Sequence, residues 1–143
     1  MGTVYSGYNL YKARELAKQL NDEGEYELAG LLGLLTQTPI RFNDALLLKK
    51  TNIMNREIHQ SCVKTGEEYR NMNGAYYKID EKLETLLLSL HPGVEEVFTK
   101  TRNYYVTKIR KRSNRSFIFH ELRHEQLLRE RREWAKQYSK ENI

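Results

Sequence analysis

Three short runs hold most of the reactive side chains of this sequence: Thr38-Pro39-Ile40-Arg41-Phe42-Asn43-Asp44-Ala45-Leu46, Val63-Lys64-Thr65-Gly66 and Phe119-His120-Glu121-Leu122-Arg123-His124. The last overlaps a long basic stretch. Between Lys100 and Arg132 eleven basic residues stand against three acidic ones, a local charge of +8; the whole chain carries +5, so the remainder carries −3. Positive charge concentrated on an otherwise slightly acidic chain is the footprint of a polyanion-binding surface, because each neutralised phosphate releases counterions. Lys100, Arg102, Lys108, Arg110, Lys111, Arg112 and Arg115 are therefore candidate DNA-binding residues. A solvated helical face is the plainer use of the same charges. A rival chemistry sits in the same stretch: His120-Glu121-x-x-His124 has the i, i+4 histidines and intervening glutamate of a zinc peptidase. Arg123 inside that run and the positive block around it make a poor field for a dication, and no clear third ligand follows. No metal and no other cofactor is expected.

The 143 residues suffice for one domain with a real core and are few for two. Hydrophobic residues make up 39% and charged residues 30%, mean hydropathy is −0.76, and no apolar stretch approaches the length a bilayer needs. Ten tyrosines and runs such as Leu46-Leu47-Leu48 and Leu86-Leu87-Leu88 argue against a disordered chain. The single cysteine, Cys62, excludes an internal disulfide framework and a multi-cysteine zinc site. With no secretory leader at Met1, the expected location is cytoplasmic. Met1 to Ser6 fits the loose myristoylation pattern, and Asn114-Arg115-Ser116 is a glycosylation sequon only in a secreted protein.

Helical periodicity must position most of these residues. Leu10, Ala13, Leu16, Ala17 and Leu20 recur on one face, and Asn21 to Gly24 ends that helix. A second helix is expected from about Glu25 to Leu35, apolar on most sides and hence buried, with Pro39 as its stop; a third, short one begins near Phe42 and carries Ala45 to Leu48 inward. Glu57 to Val63 and Glu68 to Ile79 read as extended runs around the turn Lys64-Thr65-Gly66, a two- or three-stranded antiparallel sheet with Lys64 at its tip. Asp80 is the expected N-cap of a helix carrying Leu83, Leu86, Leu87 and Leu90, stopped by His91-Pro92-Gly93. Two further helices, Val94 to Arg110 and Phe119 to Tyr138, flank the polar break Ser113 to Ser116. The expected fold class is mainly α with a small antiparallel β-sheet, in one domain over residues 1–143.

In that order and on those elements, the three runs resemble the catalytic domain of the tyrosine recombinases, the phage-integrase family, over about Leu16 to Arg123. There an arginine follows a Thr-Gly turn, a lysine sits on a β-hairpin often written Lys-Thr-Gly, and His-x-x-Arg opens a later helix. The resemblance implies a recombinase-like fold and a catalytic set of Arg41, Lys64, His120 and Arg123. Arg41 and Arg123 would clamp one DNA phosphate, Lys64 would protonate the leaving 5′ oxygen, and His120 would assist proton transfer. Asp44, by the same resemblance, supports Arg41 through a buried ion pair, and His124 stands as a second supporting residue. The implied partner is double-stranded DNA, with a possible homo-oligomer on it and no membrane. Pro39 replaces the usual glycine. The sequence given ends 20 residues after Arg123, before the family's nucleophilic tyrosine is expected; Tyr138 falls too early in register, and Tyr138 to Ile143 reads as a turn and a new helix start. No counterpart of the family's N-terminal core-binding domain is expected in these residues. A recombinase or integrase core lacking its nucleophile segment and a non-cleaving, repressor-like DNA-binding regulator are the two functions this reading allows.

Overall fold

The computed structural model describes residues 7–141, with side chains through residue 139. Six helices run in the order α1 (Tyr8–Asp22), α2 (Tyr26–Gln37), α3 (Phe42–Ala45), α4 (Glu81–Ser89), α5 (Arg102–Ser113) and α6 (Phe119–Glu141). Between α3 and α4 lies one small antiparallel sheet, β1 (Ile53–Met54) with β2 (Glu57–Ile58), paired Ile53 to Ile58 and Met54 to Glu57. The chain is thus mainly α with a small antiparallel sheet. The myristoylation pattern at Met1 to Ser6 lies outside the described residues, and no helix among those described is long and apolar enough to cross a membrane.

α2 is the central element because it is apolar on every side: residues Leu28 through Thr36 are all buried. Leu10, Ala13, Leu16 and Leu20 of α1 and Leu83 and Leu87 of α4 complete its surroundings. Close approach of α4 depends on small residues, since a Cβ at Gly33 would stand 2.7 Å from Leu83 Cδ1. α6 closes the core with Leu122 and fastens α1 through Glu125. That buried carboxylate accepts from the Leu10 N–H at 3.0 Å and from Asn9 Nδ2 at 2.6 Å, satisfying donors left over at the α1 N-terminus. Asp80 caps α4 as its sequence position implies, accepting from the Leu83 N–H at 2.7 Å.

Four expectations are corrected. Val94 to Thr101 is not helical: the Lys50 N–H donates to the Glu95 carbonyl and the Val97 N–H to the Leu48 carbonyl, so this stretch pairs edge to edge with the chain after α3, and α5 starts only at the Thr101 cap. The sheet has two strands, within the two or three expected, and pairing continues beyond it as isolated bridges, Ser61 with Glu68, Arg70 with Tyr76 and Glu57 with Lys78. Its first strand, β1, was not expected; the two-residue turn Asn55-Arg56 joins it to β2 with φ of 50° and 66°, the left-handed pair that suits hairpin twist. Ala45 and Leu48 point inward while Leu47 is exposed. Finally, α6 continues without a break through Glu141, so no turn interrupts it at Tyr138; Asn142 and Ile143 lie outside the described residues.

Candidate functional site

Arg41 stands at the start of α3, where the chain is extended after leaving α2 at Pro39. His120 and Arg123 lie in the first two turns of α6, three residues apart and so on one side of it. Arg102 opens α5 on the side that carries the buried Tyr105, Val106 and Ile109, and is itself exposed. These three arginines and His120 line one cavity of about 280 Å³, walled by Phe42 and Phe119, whose rings meet at 4.9 Å. No aspartate, glutamate or tyrosine lines it among the described residues.

Arg123 and Arg102 are held by their Nε atoms rather than by carboxylates. Arg123 Nε donates to the Pro39 carbonyl at 2.9 Å, and Arg102 Nε donates to Asn43 Oδ1 at 2.8 Å while its guanidinium lies 5.4 Å from the centre of the Phe42 ring. Both forks therefore keep their terminal nitrogens for a ligand. Arg41 Nε is buried and has no hydrogen-bond partner. None of the three arginines is in an ion pair among the described residues. Guanidiniums gathered without a counter-charge repel one another, and the half-buried Arg41 and Arg123 also lose hydration. An anion would relieve both costs.

Asp44 does not pair with Arg41. Its buried carboxylate accepts from the Tyr69 hydroxyl at 2.5 Å and from the Val63 N–H at 3.4 Å, and its carbonyl accepts from Gln60 Nε2. The Tyr69 hydroxyl in turn accepts from the Arg41 N–H at 3.3 Å. Asp44 is therefore a clasp between α3 and the hairpin that carries Lys64, and it reaches Arg41 through the backbone. Burial, and after it the bond to Asp44, holds the Tyr69 hydroxyl well above the ordinary tyrosine range. Lys64 is exposed in the turn between the bridge partners Ser61 and Glu68, which Gly66 closes with φ of 76°. The hairpin tip is where the sequence put it, yet Lys64 does not line the cavity.

His124 is exposed on α6 and also lies outside the cavity lining. Among the described residues no group of three or more His, Cys, Asp and Glu side chains could hold a metal. Lys100, Lys108, Arg110, Lys111, Arg112 and Arg115 are all exposed, but Arg112 is paired with Glu23 of α1 at 2.5 Å. Tyr104, Lys108 and Lys111 form an outward stripe of α5, with Lys108 Nζ 5.7 Å from the Tyr104 ring. Tyr138 is exposed and stacked on Trp134 at 5.2 Å. Fifteen residues of unbroken helix put it about 22 Å along α6 from Arg123.

A larger groove of about 830 Å³ runs between α1, α2 and α4, but there Glu15 and Asp80 stand among Arg14, Lys18, Lys82 and Arg129. Among the described residues the smaller cavity, unlike this groove, gathers arginines with no carboxylate in its lining. Tyr69, Asn43 and the Pro39 carbonyl are the parts of this site that sequence reasoning missed. No family model matches the chain, and neither a curated protein nor a solved structure matches it.

Proposed function

We propose that the chain binds double-stranded DNA by its backbone, gripping one phosphodiester in the cavity with Arg41 and Arg123, as a recombinase-type catalytic core or a regulator built on that scaffold. The observation that carries this reading is the convergence of Arg41, His120 and Arg123, far apart in sequence, on one cavity free of carboxylates. A diester presents two non-bridging oxygens, and two guanidinium forks match them with charge-assisted hydrogen bonds. His120 is placed to donate a third bond or to pass a proton at the same phosphate. Lys64, on a hairpin clasped to α3 by Asp44, is positioned beside this grip rather than within it.

The regulator form is favoured by the tyrosines. Among the described residues none lines the cavity, the Tyr69 hydroxyl is engaged by Asp44, and Tyr138 is about 22 Å along α6 from Arg123. Stabilising a transition state accelerates nothing without an oxygen in line with the leaving group. The described residues thus support holding a phosphate more directly than cutting at one.

Fluorescence anisotropy with a labelled duplex at several salt concentrations tests the proposal. Arg41→Gln and Arg123→Gln should each weaken binding about tenfold, the lower end for a charge-assisted hydrogen bond, and each should reduce the salt slope by about 0.9. Unchanged affinity and slope in both variants would overturn it.

A further inference from the structure

The cavity holds one arginine more than the two forks needed to match the two non-bridging oxygens of a phosphodiester. Arg41 and Arg123 already match its two non-bridging oxygens, yet Arg102 faces the same space with its terminal nitrogens uncommitted. Its orientation is built in. Nε is tied to Asn43, two residues after Arg41, and the guanidinium lies beside the Phe42 ring between them. A surface lysine or arginine that merely adds to a positive field needs no such support. Arg102 also stands where the cavity meets α5.

From this geometry, and resting on the phosphodiester reading above, we infer that Arg102 binds the phosphate next along the same strand, so that the site is a two-phosphate grip. Arg41 and Arg123 hold the first phosphate and Arg102 the second. Asn43 is a positioning residue for Arg102. The substrate class is therefore a nucleic-acid strand with at least two consecutive phosphodiesters. A small anion, or a single diester, fills only half of it.

Two thymidine oligomers separate the possibilities, d(TpT) with one phosphodiester and d(TpTpT) with two, each titrated into the full chain and followed by nuclear magnetic resonance. The unaltered chain should bind d(TpTpT) about tenfold more tightly than d(TpT). Arg102→Gln should abolish that difference and leave d(TpT) affinity within about twofold, whereas Arg41→Gln should weaken both oligomers about tenfold. Asn43→Ala, which keeps the Arg102 charge and removes its anchor, should lose part of the preference; circular dichroism checks that each variant retains its helices. Arg102→Gln indistinguishable from the unaltered chain would overturn the inference, as would an equal loss on both oligomers, which would put Arg102 on the first phosphate. If Arg41→Gln and Arg123→Gln alter neither oligomer, the phosphodiester reading itself fails, whatever Arg102 does.

Discussion

At the scale of single residues, Asp44 and Tyr69 join the hairpin to the helix that begins at Arg41. The Asp44 carboxylate is buried, and the Tyr69 hydroxyl is the shorter of its two bonds. Tyr69→Phe removes that donor and leaves the carboxylate under-satisfied, which should cost about 1–3 kcal/mol, read as a lower urea midpoint. Alkaline pH should reproduce part of the effect. Tyr69, Tyr77 and Tyr105 are each held above the ordinary tyrosine range, by burial first and then by hydrogen bonds to Asp44, Glu130 and Glu27. Their stabilisation is complete below the unfolded value near pH 10. Above it the unfolded chain releases protons that the folded chain retains, so stability should fall with rising pH, less steeply in Tyr69→Phe. Arg41, His120 and Arg123 were legible because their neighbours in sequence form recognisable runs. Tyr69 and Asn43 were not, because their roles arise from pairings across 25 and 59 residues that no local pattern records.

Helices whose burial follows a simple period were legible; segments set by long-range pairing were not. α1, α2 and α4 begin and end close to where their apolar spacing, Pro39 and Asp80 place them. Val94 to Thr101 has apolar residues that suit a helix, yet Val97 and Phe98 reach the core from an extended stretch bonded to the chain after α3. β1 escaped notice because two residues are too few to show alternation. Packing of α4 on α2 gives the element-scale prediction. At Gly33 even a Cβ would lie 2.7 Å from Cδ1 of the buried Leu83, so the Leu83 side chain must shift. Gly33→Val should therefore destabilise the fold by about 1–3 kcal/mol through overpacking, seen in urea unfolding. Gly24→Ala, at a position with φ of 82° and nothing near its Cβ, should lose stability through backbone strain alone.

For the whole molecule, the arrangement of charge matters more than its sum. The net +5 is modest, but the cavity gathers three arginines and a histidine without a carboxylate, and α5 carries further exposed basic residues. Glu23, by contrast, neutralises Arg112 on the α1 side. The basic block was visible in the sequence; that Arg102 of this block lines the cavity was not, since that depends on the α5 face chosen by Tyr105, Val106 and Ile109. The central claim is that DNA phosphate enters the cavity, and the most direct test is to titrate a short duplex into the nitrogen-labelled chain while observing arginine Nε–H and histidine ring resonances. The account predicts that the Arg41, Arg123 and His120 signals shift together and saturate at the concentration where anisotropy saturates, while the amides of Tyr11 and Lys18 in the larger groove stay unmoved. Shifts confined to that groove or to the outward stripe of α5, with Arg41 and Arg123 unaffected at saturation, would contradict it.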